Sequence, residues 1–209
     1  MSKRPWLDKG RSISVQQAHP ADAQEARARL MRTTFGLSFM TNHLAFRPAE
    51  ENDSEAISDL VRRNICPETL PGWNAAAIED LANNSTPQVV SLSLRNTAFA
   101  NVCIVDDSII GFINCESPRT ISLLVVDPSV QRTGIGTRLL ARALEHITIT
   151  ASDVSVVEVT ATEYSMPFYR RHSFYPISEP IEFKGRRVIR MAFWRKNPLL
   201  SVSPGKAVL

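Results

Sequence analysis

Paired cysteines, long apolar runs, internal repeats and a basic body are all missing from this chain, and each absence removes a class of protein. Cys66, Cys103 and Cys115 are odd in number and have no metal-ligand spacing among the 209 residues. A disulfide scaffold and a zinc module are thereby excluded, and idle thiols in a reducing, cytoplasmic setting are expected. No apolar run approaches the roughly 20 residues of a transmembrane helix, so no membrane partner is expected. Through Arg47 there are eight Lys/Arg against three Asp/Glu, while the remainder has 16 against 18. The basic surplus therefore sits in a leader and not on a folded body, which argues against nucleic acid as a partner. Asp8, Asp22 and Glu25 also break the acid-poor pattern of an organellar leader.

What remains is a chain with 44% apolar residues, enough for one modest core with extensions. Residues 1–41 read as a flexible basic extension with room for one helix, 42–196 as the folded domain, and 197–209 as a disordered tail. Leu44 to Pro48 reads as a first strand, followed by a helix from near Asp53 or Ser54 that ends before Pro67. Asn74 caps a helix from Ala75 to Leu81. Thr86-Pro87 opens another through about Arg95, although Val89 and Val90 would also suit a strand. Phe99 to Val105 and Ile109 to Cys115 form a hairpin about Asp106-Asp107-Ser108, and Arg119 to Val126 extends the meander. Val154 to Thr160 is β-branched and strand-like, Ser165 is placed to cap a short helix with Pro167 in its first turn, and Pro176 and Pro180 bound a short strand. Lys184-Gly185 marks a turn before a last strand from Arg187 to Trp194.

The most informative segment joins the strand ending at Val126 to the helix that buries Leu140, Leu144 and Ile147. Between them lies Gln131-x-x-Gly134-x-Gly136, in which glycines let backbone N–H groups approach an anion at the positive end of a helix. A nucleotide P-loop would need a lysine after Gly136, and a dinucleotide fingerprint would need G-x-G-x-x-G; neither is present. The order V-x-P-x-x-Q-x-x-G-x-G from Val126 instead resembles the coenzyme A loop of the GNAT N-acetyltransferase superfamily. Pro167-Phe168-Tyr169-Arg170-Arg171-His172-Ser173-Phe174 resembles that family's F-Y-x-x-x-G-F segment, with Ser173 in place of the glycine. Serine tolerates a positive φ less well, so the turn before Phe174 is the point of departure.

The resemblance covers about Asn42 to Arg195, in the order β-α-α-β-β-β-α-β-α-β-β. It implies an α/β (α+β) fold with a mixed central sheet of about six to seven strands, flanked by helices and splayed at an acetyl-CoA site. It implies transfer of an acetyl group from acetyl-CoA to a primary amine, the acceptor being a small molecule. A protein N-terminus or lysine as acceptor, and a non-catalytic acetyl-CoA sensor, are the alternatives. Leu124, Val125 and Val126 match the edge that takes the pantetheine arm, and Gln131, Arg132, Thr133, Gly134, Ile135, Gly136 and Thr137 match the pyrophosphate loop. A backbone N–H near Val125 or Val126 is expected to face the thioester oxygen. Tyr169 matches the tyrosine that faces the thioester sulfur, as general acid or as packing under the cofactor. Glu158 matches a catalytic glutamate of some members, yet a strand glutamate can equally be an ion-paired face, and water-mediated deprotonation stays open. His172 reads as structural, near a helix C-terminus. Acceptor contacts are expected from Cys66 to Trp73 and from Glu179 to Arg187, with Trp73 as an apolar wall and Glu68 or Glu182 attracting a cation. No metal is expected, and a homodimer is left open.

Overall fold

The computed structural model describes residues 44–66 and 69–195; the expected leader, the expected tail and Glu68 lie outside the described residues. In chain order the strands are β1 (Ala45–Pro48), β2 (Phe99–Val105), β3 (Ser108–Ser117), β4 (Thr120–Val126), β5 (Val156–Thr162), β6 (Tyr175–Pro176), β7 (Ile181–Phe183) and β8 (Arg186–Trp194). The helices are α1 (Ser54–Arg63), α2 (Ala75–Asn83), α3 (Pro87–Arg95), α4 (Ile135–Thr150) and α5 (Met166–Arg171). They surround one mixed eight-stranded sheet of order β1-β2-β3-β4-β5-β8-β6, with β7 also on β8. Only β4 and β5 pair in parallel.

Local chemistry sets most boundaries. The Asn74 side chain accepts from Ala77 N–H at 2.8 Å, and Thr86 accepts from Val89 N–H at 3.4 Å. These caps, with Pro87 in the first turn, make Val89 and Val90 helical against their strand preference. Asp106 and Asp107 take φ of 46° and 60°, the pair of left-handed residues a tight hairpin needs. Two expectations need correction. Ser165 makes no capping bond; its hydroxyl instead accepts from Thr162 N–H at 3.0 Å and ties down the end of β5. No strand forms between Pro176 and Pro180: Ile177 N–H still donates to Arg190 O at 2.9 Å, but the Ser178 hydroxyl takes the Arg190 N–H at 3.2 Å in place of a backbone carbonyl, so β6 ends at Pro176 and β7 begins after Pro180.

The sheet has two unlike faces. On one, α1 and α3 bury Ile57, Leu60, Val61 and Val90 against Val102, Ile109, Phe112 and Val125, with Leu81 of α2 packed alongside. On the other, α4 lies on β2 to β4. There Gly111 makes close approach possible: a Cβ on it would stand 3.0 Å from both Ile135 and Leu139. Short α5 covers β5 on the same side as α4. Phe174 stacks on Tyr169 and on Phe193, which pairs with Val157, so Val157, Val159 and Ala161 face α5. Glu158, Thr160 and Thr162 consequently share the opposite face with Val188, Arg190 and Ala192 of β8.

Candidate functional site

A single extra residue opens the sheet. Asn114 pairs with Leu123 and Cys115 with Ile121, so Ser122 bulges out of β4. Its hydroxyl holds the bulge, donating to Asn114 O at 3.2 Å and accepting from Glu116 N–H at 3.1 Å. Asn114, itself buried, bonds Thr97 at 2.5 Å and Ser93 at 3.2 Å. Below the bulge β4 pairs with β5 at Thr120–Glu158 and Ile121–Val159; above it the two strands part.

The bulge also decides which backbone groups face the gap. Asp127 N–H donates to Ile110 O at 2.9 Å. Ladder bonds alternate along an antiparallel pair, so Val125 and Leu123 bond to β3, while the N–H and C=O of Leu124 and Val126 turn toward β5. Val126 O bears out that direction by accepting from Gln131 Nε2 at 3.1 Å. The expected donor at Val125 is therefore corrected to Leu124, with Val126 retained. Across the gap, Arg195 N–H donates to Ser155 O, which fixes the same alternation on β5–β8 and turns Thr160 toward β4.

The loop after β4 is held from three directions. Asp127 accepts from Ser129 N–H at 3.0 Å and from the Ser129 hydroxyl at 2.6 Å, and pairs with Arg63 at 2.9 Å. Gln131 also donates to Asn64 at 3.3 Å and accepts from the Tyr164 hydroxyl at 2.8 Å. Its side chain thus binds the ends of α1 and β4 to the turn after β5, a positioning contact that the motif alone does not reveal. Arg132 at φ 64° and Gly134 at φ 91° then reverse the chain into α4. Among the described residues, the N–H groups of Arg132 through Thr137 meet no acceptor. Open space faces Gly134, where an added Cβ would touch nothing within 4 Å. A row of free donors at a helix N-terminus fits a pyrophosphate, and the Leu124 and Val126 edge fits an extended amide chain.

Tyr169 is carried by α5, on the side of the sheet that α4 also covers. It is 5% exposed, and burial pushes its phenol well above the usual tyrosine range. Its rotation is fixed by edge contacts with Phe168 at 5.2 Å and Phe174 at 5.4 Å. The turn that follows closes as a Schellman motif: Ser173 N–H donates to Arg170 O, Phe174 N–H donates to Tyr169 O, and Ser173 takes φ 62°. Serine therefore adopts the glycine conformation. His172 meets the Thr137 hydroxyl at 3.1 Å, and burial lowers its pKa from the ordinary value. Phe168 packs beside Gly136, so α5 and the start of α4 form one unit.

On the opposite face Glu158 pairs with Arg190 at 2.7 Å. The two expected acceptor segments do meet there. Asn74 N–H donates to Gly185 O at 3.1 Å, and the Arg186 guanidinium lies 5.0 Å over the Trp73 ring. Glu182 is exposed and pairs across from Arg187, on the other side of the β7–β8 hairpin from Trp73. Burial raises the Cys103 and Cys115 thiols to about 11 and about 12, which leaves them protonated and inert. Among the described residues no cluster of His, Cys, Asp or Glu could hold a metal, and no helix is long and apolar enough to cross a membrane.

Comparison with known proteins agrees with this geometry. An acetyltransferase (GNAT) domain family matches residues 70–194. A GCN5-related N-acetyltransferase from Rhodopseudomonas palustris is 16% identical over 72% of this chain and 95% of its own, with a TM-score of 0.64. A PaiA N-acetyltransferase from Thermoplasma acidophilum, solved with coenzyme A, is 16% identical over 73% and 99%, with a TM-score of 0.60. An aminoglycoside 6'-acetyltransferase of type Ii is 16% identical over 72% and 96%, with a TM-score of 0.54. At these identities the likeness is one of fold. No curated protein matches the sequence at a significant level. The family match spans more than half of the chain, which therefore belongs to the GNAT acetyltransferases, enzymes that use acetyl-CoA as acyl donor.

Proposed function

We propose that this enzyme moves an acetyl group onto the primary amine of a small molecule by direct attack in a ternary complex. The observation that carries the reading is the continuity of free backbone donors, from Arg132–Thr137 to the Leu124 and Val126 edge. Bound acetyl-CoA would supply a thioester activated toward amines. The N–H groups of Arg132 to Thr137 hold its pyrophosphate, and those of Leu124 and Val126 meet the pantetheine amide and the negative charge that grows on the acyl oxygen.

Tyr169 acts as a hydrogen-bond donor to the departing sulfur. A phenol held above its usual pKa of about 10 does not give its proton fully to a thiolate of about 8.5, but it stabilises the charge by donating to it. The acceptor enters on the Glu158 side, the face of β5 and β8 turned away from α5. Glu158 is the one carboxylate on that face of β4, β5 and β8, and it takes the amine proton through water while Arg190 holds it in place. A small-molecule acceptor is supported by the fold shared with an aminoglycoside acetyltransferase.

Thiol release from acetyl-CoA against polyamines, amino acids, aminoglycosides and peptides tests the proposal. Turnover on a small amine is expected, with Tyr169→Phe lowering kcat about 10- to 100-fold at unchanged acetyl-CoA affinity. Turnover on peptides alone would refute the small-molecule reading, and an unchanged kcat in Tyr169→Phe would remove that residue from the chemistry.

A further inference from the structure

Arg186 is an arginine held by one long ion pair and two aromatic rings. Its side chain is 19% exposed, yet among the described residues its five N–H donors make no hydrogen bond. The nearest carboxylate oxygen, Asp80 Oδ2, stands at 3.8 Å, and Lys184 draws on the same carboxylate at 3.4 Å. The guanidinium lies 5.0 Å from the Trp73 ring and 5.6 Å from the Phe183 ring. Contact with aromatic rings leaves the in-plane N–H groups of the fork as its means of binding a ligand.

We propose that Arg186 receives a carboxylate on the acceptor, so that the enzyme selects amines carrying an anionic group at a distance; this rests on the acetyl-transfer reading above. Register places Arg186 on the acceptor face. Val188 pairs with Thr162 and Arg190 with Thr160, so Arg186 continues the row that includes Arg190 beside Glu158. Four strand positions separate Arg186 from Arg190, about 13 Å along the strand, so the anion binds well away from the amine. The hairpin cannot drift, because Asn74 N–H holds Gly185 O and the turn residues Lys184 and Gly185 take φ of 49° and 75°.

Charge on this face favours an anion. Among the described residues Arg190 is matched by Glu158, whereas Lys184 and Arg186 both draw on Asp80, two positive charges on one negative. Arg187 and Glu182 point to the other side of the hairpin, where Glu163 pairs with Arg187 at 3.1 Å. A planar carboxylate fits the fork with two parallel hydrogen bonds. Trp73, expected from sequence as an apolar wall, here serves as the plate on which the guanidinium is held.

The test uses ω-aminocarboxylates of about five to ten carbons beside alkylamines of equal length. In wild-type enzyme kcat/KM is expected to favour the carboxylate about 10- to 100-fold, through KM. Arg186→Gln should erase that preference and leave alkylamine turnover and acetyl-CoA affinity unchanged, with Arg186→Lys between the two. Equal rates on both series, or an equal loss on both in Arg186→Gln, would overturn the proposal. Carboxylate binding is also read without turnover, as quenching of Trp73 fluorescence by 8-aminooctanoate in the full chain, with Trp73→Phe as the blank. Quenching that depends on Arg186 in a protein without acetyl transfer would keep this site and refute the enzyme reading. Transfer without such quenching would do the reverse.

Discussion

Replacing Ser173 with glycine should make the protein more stable, against the rule that most substitutions destabilise. Ser173 holds φ 62° at the residue that ends α5, and both Schellman bonds depend on that conformation. Holding an L-residue there costs roughly 1–2 kcal/mol. Glycine removes that cost but gives back about 0.5–1 kcal/mol through the greater freedom of its unfolded chain. The Ser173 side chain makes no hydrogen bond among the described residues, so nothing further is lost. The net gain lies between about 0 and 1.5 kcal/mol, centred on about 0.75, or roughly 2–3 °C in Tm at the centre for a domain of this size. Thermal melts followed by circular dichroism, with urea midpoints at constant slope as a cross-check, measure it. Ser173→Asn should fall between serine and glycine, and Ser173→Val below both. A lower Tm for Ser173→Gly would refute the strain argument. Since Phe174 is fully buried against Tyr169, the same turn seats that tyrosine, and kcat should be retained.

Gly111→Ala should push α4 off the sheet, because its Cβ meets Ile135, Leu139 and Cys103 within 3.2 Å; a loss of about 1–3 kcal/mol in urea unfolding and weaker acetyl-CoA binding are expected, and unchanged values would contradict the close approach. The Arg47 guanidinium, at 2.6 and 2.7 Å, holds the Asp53 carboxyl below the usual range. A folded pKa below the unfolded value stabilises above about pH 4 and ceases to do so as pH falls through the folded pKa. Asp53→Asn should therefore cost about 1.5–3 kcal/mol at pH 7 and flatten the acid limb of the stability curve, whereas an unchanged limb would assign acid sensitivity elsewhere.

The parts of the fold legible in the sequence were those governed by local chemistry. Asn74, Thr86-Pro87 and Asp106-Asp107 announce a cap, a helix start and a turn through their own side chains, and each stands where it was expected. The loop from Gln131 to Gly136 was legible for the same reason, since its glycine spacing is a local requirement. What stayed hidden depends on register between distant strands. That Ser122 is the extra residue follows only from counting β4 against β3, and with it goes the choice of Leu124 over Val125 as edge donor. Gly111 reads as an ordinary strand residue until α4 is laid on it. Arg186 falls between the expected turn at Lys184-Gly185 and the expected strand from Arg187, and nothing local singles it out, because the rings that hold it arrive from Trp73 and Phe183.

The central claim is that the donors after β4 bind acetyl-CoA, and calorimetric titration of the full chain with acetyl-CoA tests it most directly. One molecule should bind per chain, and Gly134→Asp should weaken binding at least about 10-fold, by setting bulk and negative charge against the pyrophosphate and by straining a φ of 91°. Absence of binding in the wild-type protein, or equal affinity in the variant, would contradict the assignment of the loop from Arg132 to Thr137.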